Sequence, residues 1–110
     1  MIIDVNQSLR ELRKVNEEIS VKEILETRAL SCGLIAFKPM PGGDPKQINH
    51  ADKDVLCHVL KGKGRLRMNG EEIPVRRGVV CHVPAGTPHD FAAVDEEMVI
   101  FYSLITTGRL

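Results

Sequence analysis

The first part of the chain has the apolar spacing of a short amphipathic helix. In residues 6–18, a highly charged segment, apolar side chains recur at intervals of three: Leu9, Leu12 and Val15. This spacing places them on one helix face, and Asn6 or Ser8 is the candidate N-cap. Because the apolar stripe is narrow, it predicts about two helical turns that cover the protein surface. Binding of a partner by this helix is the alternative.

From residue 19 onward, the apolar positions follow the two-residue period of β-strands. Residues 19–25 and 30–37 have this pattern and predict two strands. Residues 39–45 contain three prolines and two glycines, which cannot pair in a sheet, so they predict a loop. Residues 98–105 form a continuous apolar run that includes Phe101 and Tyr102. Such a run predicts a strand that is buried on both faces.

Asn69-Gly70 is the strongest local signal in the sequence. Both residues tolerate the positive φ angles that a two-residue type I′ turn requires. This turn predicts a hairpin with three cross-strand pairs: Met68 with Glu71, Arg67 with Glu72, and Leu66 with Ile73. The cations before the turn alternate along the chain: Lys61, Lys63, Arg65 and Arg67. If the strand is continuous they share one face, which is either a solvated outer face or an anion-binding stripe.

Many short strands, tight turns and one short helix predict an all-β sandwich or barrel. A length of 110 residues is sufficient for one domain with one core. The sequence therefore predicts a single domain over residues 1–110.

The second half of the chain contains a spaced motif that narrows this fold class. Gly78, Pro84, Gly86 and His89 match the second motif of the cupins: a Gly, five residues, Pro-x-Gly, two residues, then His. The final Asn of that motif is replaced here by Ala93. Over residues 41–106 the chain resembles this family. The resemblance implies an antiparallel jelly-roll barrel, or double-stranded β-helix, over residues 19–106, with residues 1–18 as a cover segment.

The first cupin motif is only partly kept. Its apolar strand leads into Gly62, but the position of the family's Glu is occupied by Val55. Of the motif's two histidines, His50 matches one, while Ile48 stands at the other. In metal-binding cupins, imidazoles and a carboxylate hold iron, manganese, nickel or zinc, as these ligand types do in general. The resemblance therefore implies that His50 and His89 are the metal ligands, if the barrel binds a metal at all.

Two registers are open for the strand that follows His50. In the first, Val55, Cys57 and Val59 point inward and His58 points outward, because side chains alternate along a strand. In the second, a one-residue bulge makes Asp54 the replacement carboxylate, and His58 points inward with it. The third metal ligand is thus Cys57, Asp54 or His58, depending on the register.

The dipeptide Cys-His occurs twice, as Cys57-His58 and Cys81-His82. In a jelly roll of this family, the two strands that contain them are neighbours. If they lie side by side, both cysteines share one face and both histidines share the other. We therefore predict a pocket lined by His50, Cys57, Cys81 and His89. The alternative is that both cysteines are simply small buried apolar residues.

Composition excludes some classes of protein and favours others. Cationic and anionic residues balance at 15 each, which argues against nucleic-acid binding. No apolar run is long enough to cross a membrane. Three cysteines without a close pair suit free thiols in a reducing compartment, and the N-terminus lacks the features of an export signal. These observations predict a cytoplasmic protein.

Three functions are compatible with the sequence. The first is a small cupin that binds a small molecule, a divalent metal, or both in its barrel, with no assignable catalysis. The second is a metal-dependent dioxygenase, isomerase or decarboxylase, and the third is a regulatory or interaction domain without a ligand. Residues 56–60 and 98–105 are apolar on both faces, more than one small barrel can bury, so we also expect a homodimer.

Overall fold

The structure is a computed structural model that describes residues 1–40 and 51–107. The chain begins with a short helix, α1 (Val5–Ser8), and a 3₁₀ turn, Leu9–Glu11. Nine strands follow within the described residues: β1 (Arg13–Lys14), β2 (Ile19–Glu26), β3 (Leu30–Phe37), β4 (Lys53–Lys61), β5 (Lys63–Met68), β6 (Glu71–Arg76), β7 (Val80–Val83), β8 (His89–Ala93) and β9 (Met98–Thr106).

In the described part of the chain, the strands form two antiparallel sheets. One has the order β1-β2-β3-β9-β4-β7 and the other has the order β6-β5-β8. Strand β9 lies between β3 and β4, so the last of the described strands joins early and middle segments of the sequence. The two sheets enclose one core, and the predicted antiparallel jelly-roll barrel is confirmed.

The core is built from the inward-facing positions of both sheets. Alternation along each strand directs every second side chain inward. The buried members of this core are Phe37, Val55, Cys57, Val59, Leu66, Val75, Val83, Ala93, Met98 and Ile100. None of the helices in the described residues is long and apolar enough to cross a membrane.

The predicted helix over residues 6–18 is too long. Helical structure ends at Glu11, and Leu12 is already extended. Residues 13–14 pair with β2, and the Asn16 side chain accepts hydrogen bonds from the backbone N–H groups of residues 18 and 19, both at 2.8 Å. These contacts with β2 outweigh a marginal helical pattern. The N-cap is Asp4, whose carboxylate accepts from the Gln7 N–H at 3.1 Å, and not Asn6 or Ser8.

A second buried layer lies on the outer face of the large sheet. Leu34, Ala36 and Val99 are at most 2% exposed, yet they are not part of the central core. Leu34 is directly opposite Lys22, and Lys22 forms an ion pair with Glu11 at 3.8 Å. We infer that the N-terminal segment covers this part of the outer face.

The expectation that residues 98–105 are buried on both faces holds for only part of β9. Met98, Val99 and Ile100 are buried, whereas Ile105 is 40% exposed. The outer face at the far end of β9 is therefore uncovered.

The predicted hairpin is confirmed in every pair. Met68, Arg67 and Leu66 are opposite Glu71, Glu72 and Ile73, and Asn69 and Gly70 have φ angles of 55° and 76°. The row of cations before the hairpin is interrupted, because the chain turns at Gly62 between β4 and β5. Lys61 therefore belongs to a different strand from Lys63, Arg65 and Arg67.

Candidate functional site

His89 is a buried histidine on the inner wall of the small sheet. It is the first residue of β8, only 4% exposed, and lies on the same face as Phe91. The two rings meet edge to face, with their centroids 6.4 Å apart. The strand register places Met68 directly opposite His89, so the imidazole has the apolar side chains of Met68 and Phe91 beside it.

The backbone of the preceding turn determines the tautomer of His89. Its Nδ1 lies 3.0 Å from the carbonyl oxygen of Thr87. A carbonyl oxygen can only accept, so Nδ1 carries the proton and donates it to this bond. In the neutral ring, Nε2 is then the nitrogen with the lone pair. That tautomer suits either an accepted hydrogen bond or coordination of a metal through Nε2.

An ion pair fixes the strand that carries His89. Asp90 is buried on the other face of β8, where its Oδ2 accepts from Arg67 Nη2 at 2.7 Å and from Arg67 Nε at 3.2 Å. Its Oδ1 is buried and has no hydrogen-bond partner in the described part of the protein. The Arg67 side chain is 31% exposed, and that of Asp90 is 7% exposed. This contact ties β8 to the middle strand of the small sheet.

Cys57 and Cys81 occupy the opposite wall. They are register partners on β4 and β7, and Tyr102 of β9 is the partner of Cys57 on its other side. Cys57 is 2% exposed, while Cys81 is partly buried. Burial, with a smaller effect from neighbouring Cys81, raises the pKa of the Cys57 thiol to about 12. Burial also raises the pKa of Cys81, so both thiols are protonated and neutral near pH 7.

The strand that carries Cys57 has the unbulged register at this point. Val55, Cys57 and Val59 are buried on the inner face, and His58 is exposed. The alternative register, in which Asp54 and His58 point into the barrel, is not observed. Both Cys-His dipeptides present cysteine inward and histidine outward, as side-by-side pairing of the two strands predicts.

Asp54 and His82 interact with each other on the outer face. Asp54 Oδ2 lies 3.2 Å from His82 Nε2, and its Oδ1 accepts from the Ala85 N–H at 2.8 Å. These contacts hold the turn after β7 against β4. His58 lies on the same outer face, so neither Asp54 nor His58 is near His89.

The predicted pocket and metal site, each taken as a whole, stay predictions. His50 lies outside the described residues, as does Ile48, so the roles assigned to His50 stay predictions. Cys57, Cys81 and His89 all face the interior, but from two different sheets. Among residues 1–40 and 51–107, no three His, Cys, Asp or Glu side chains are close enough together to hold a metal ion.

Sequence reasoning missed two features of this region. The first is the ion pair of Arg67 with Asp90. Arg67 lies opposite Glu72, as predicted, but the Glu72 carboxylate contacts Arg65 at 3.6 Å. The second is the position of Tyr102 on β9, directly opposite Cys57 on β4. Both depend on pairing between strands far apart in sequence, and no local pattern indicates that pairing.

Comparison with known proteins supports the fold and its family. A family model described as "Cupin domain" matches residues 36–105. An uncharacterised protein of Aquifex aeolicus is 30% identical over 99 residues, which cover 90% of this chain and 78% of the relative.

Solved structures with a similar fold have lower sequence identity. A protein from Thermus thermophilus has a TM-score of 0.77 at 22% identity, with 96% of each chain covered. KdgF from Halomonas sp. has a TM-score of 0.73 at 20% identity, with 88% of this chain and 87% of that chain covered. At these identities, the likeness concerns the fold alone.

Proposed function

Because this chain belongs to the cupin family, we propose that its barrel binds a small molecule, with His89 as the polar contact. The observation that carries this proposal is a buried, oriented imidazole beside the apolar side chains of Phe91 and Met68. The Thr87 carbonyl holds the ring in one tautomer, and a few polar groups held in this way are what orient a ligand in an apolar pocket. In this proposal, Nε2 accepts a hydrogen bond from the ligand.

The chemistry of the surrounding wall indicates the class of ligand. Phe91 and Met68 present apolar surface beside His89, and both pack against the buried core that includes Val83. Small-molecule sites typically combine such a wall with a small number of polar contacts. We therefore propose a compact, largely apolar molecule with one hydrogen-bond donor directed at His89. The neutral thiols of Cys57 and Cys81 would contribute soft contact surface.

A divalent metal is a second candidate for the same site. The tautomer of His89 favours it, since Nε2 is the nitrogen that a metal would need. The described residues do not fit a metal ion by themselves, however, because they contain no cluster of three ligating side chains. A metal would depend on His50, whose role is predicted from the sequence, so we assign no catalytic step to a metal.

Metal analysis separates the binding protein from the metal-dependent enzyme. The protein should be purified without a His-tag and its content of iron, manganese, nickel and zinc measured. A stoichiometric metal that is lost in His89→Ala would favour a dioxygenase, isomerase or decarboxylase. Absence of metal from both proteins would favour small-molecule binding alone.

Small-molecule binding itself can be tested with a fragment library. We expect protein-observed NMR to detect fragments that shift the signals of His89, Phe91 and Met68. His89→Ala should abolish these shifts. His58→Ala is the matched control, because it removes an exposed imidazole from the outer face and should leave fragment binding unchanged. Equal binding by the two variants would contradict the proposal.

The outer face of the large sheet supports the proposal of a homodimer. Leu56, Val80 and Ile105 are 41%, 61% and 40% exposed. Leu56 is the register partner of His82, and Val80 is that of His58. We call these five residues the outer patch. Exposed apolar side chains next to one another mark interaction surfaces, and a second copy of the chain is the partner that we propose.

A further inference from the structure

Cys57 and Cys81 are directly opposite each other on neighbouring antiparallel strands. They are Cα partners in the pairing of β4 with β7, and both are free thiols. Because side chains of opposite residues in a pair share a face, both sulfur atoms lie on the inner side of the sheet. Cys32, the third cysteine, is opposite Leu25 on one side and Ser103 on the other, so it has no such partner.

The ladder of hydrogen bonds sets the spacing of the two cysteines. The Val59 N–H donates to the Val79 carbonyl at 2.9 Å, and the Gly78 N–H donates to the Val59 carbonyl at 2.8 Å. With Gly78 at φ 92°, this is a β-bulge that begins with a glycine. Hydrogen-bonded pairs then recur every second residue, which makes Cys57 and Cys81 a hydrogen-bonded pair.

In such a pair the Cα atoms are about 5.5 Å apart. Disulfides usually span Cα separations of about 4.4–6.8 Å. The two cysteines are therefore within the reach of a disulfide without any change of strand partner.

The two thiols differ in access. Cys57 is 2% exposed, whereas Cys81, on β7 at one end of the strand order among the described residues, is only partly buried. Of these two thiols, a small reagent therefore reaches Cys81 first. Cys57 can then react only with the mixed disulfide that Cys81 has formed with the reagent. This is the arrangement of an attacking thiol and a resolving thiol.

We propose that Cys57 and Cys81 form a thiol–disulfide exchange site that takes a small-molecule disulfide as its co-reactant. Above neutral pH, where Cys81 can form a thiolate despite the raised pKa that burial gives it, Cys81 loses its proton to solvent and its sulfur attacks one sulfur of the reagent. The S–S bond of the reagent breaks and one reagent thiol leaves. The Cys57 sulfur, after loss of its own proton, then attacks the Cys81 sulfur and releases the second reagent thiol. The protein loses two hydrogen atoms and the reagent disulfide is reduced to two thiols.

Because Cys57 and Cys81 are a hydrogen-bonded pair, a disulfide between them is strained and can be reduced again. In hydrogen-bonded pairs the side chains are further apart than in the intervening pairs, and the Cβ atoms must approach to about 3.8 Å to form the bond. Strands β4 and β7 must adjust to allow this. A strained disulfide is more easily reduced and is typical of labile, regulatory bonds. The exchange site does not depend on whether the barrel binds a ligand.

Thiol counting on the intact protein tests this proposal. The reduced chain has three thiols. After incubation with excess bis(2-hydroxyethyl) disulfide at alkaline pH and quenching in acid, we expect Cys57 and Cys81 to lose their thiols without gaining reagent mass, while Cys32, which is also partly buried, gains at most one reagent group. Trypsin cleaves the chain between the two cysteines, so the peptides of Cys57 and Cys81 should be found linked. Dithiothreitol should restore all three thiols.

Variants of the three cysteines supply the controls. Cys32→Ser should still form the disulfide and leave no free thiol. Cys57→Ser should stop at a stable mixed disulfide on Cys81, and Cys57→Ala provides the same test if the serine variant does not fold. The proposal is overturned if the wild-type protein keeps three thiols. It is also overturned if its peptides show only mixed disulfides, or if Cys57→Ser forms an internal disulfide.

Discussion

Removal of Arg67 should destabilise the protein far more than removal of Arg65, its neighbour on the same face of β5. Arg67 makes two hydrogen bonds to Asp90, the shorter at 2.7 Å, and the Asp90 side chain is 7% exposed. Arg65 contacts Glu72 at 3.6 Å, and both of those side chains are about half exposed. The two arginines thus form a matched pair that differs mainly in the burial of the partner carboxylate.

The magnitude of the effect follows from burial. At 2.7 Å and an effective dielectric constant of about 20, the attraction between unit charges is about 6 kcal/mol before desolvation is subtracted. Removing one partner of a buried pair costs about 3–5 kcal/mol, while an exposed pair contributes about 0–1 kcal/mol. Arg67 is 31% exposed, so we expect Arg67→Ala to lower the free energy of unfolding by about 2–4 kcal/mol. After its loss, neither oxygen of Asp90 has a partner in the described part of the protein.

Urea denaturation at a fixed protein concentration measures this difference. The midpoint for Arg67→Ala should fall by about 1–2 M, and that for Arg65→Ala should change little. In an Asp90→Ala background, the Arg67→Ala substitution should have a much smaller effect, because the buried charge is already absent. Equal destabilisation by Arg67→Ala and Arg65→Ala would refute the reasoning. So would full additivity of the Arg67 and Asp90 substitutions.

Three further predictions concern packing, pH and assembly. A Cβ on Gly64 would lie 2.2 Å from the Ala92 carbonyl oxygen, so Gly64→Ala should destabilise by at least about 2 kcal/mol in the same assay; a cost below that of Gly70→Ala, a turn position with open space, would contradict this. The pKa of Cys57 rises from 9.0 to about 12 on folding, so the unfolded chain loses this proton first, and stability should fall between pH 9 and pH 12. Cys57→Ala should show a shallower fall, and an identical pH slope would contradict this. Light scattering at micromolar concentration should show a dimer for the wild type and a monomer for Val80→Asp, which places a charge in the outer patch; a wild-type monomer would contradict this.

Local patterns in the sequence predicted most of the barrel. The hairpin at Asn69-Gly70 and the strand Leu30–Phe37 were correct because turn chemistry and two-residue alternation act over a few residues. The side-by-side arrangement of the Cys-His dipeptides was correct because the resemblance to the cupins implied that their two strands are neighbours. The helix over residues 6–18 was wrong beyond Glu11, since hydrogen bonds with β2 outweighed a weak helical pattern.

The candidate site could be predicted only as far as the alternation of side chains along a strand allows. This alternation placed Cys57 inward and His58 outward once the unbulged register was chosen. It could not indicate that Arg67 pairs with Asp90, because that contact depends on the register of β5 against β8, which are separated by 23 residues at this point. Whether His50 joins His89 in the barrel stays a prediction.

The most direct test of ligand binding in the barrel is the ¹⁵N signal of the His89 ring. Long-range ¹H–¹⁵N NMR resolves Nδ1 and Nε2 of each histidine and reports the tautomer. On titration with the strongest fragment from the library, we predict that Nε2 of His89 shifts in a saturable manner. Nδ1 should stay protonated by its bond to Thr87, and the signals of His58 and His82 should not move. A saturable shift at His58 or His82, with Nε2 of His89 unchanged, would contradict the proposed site.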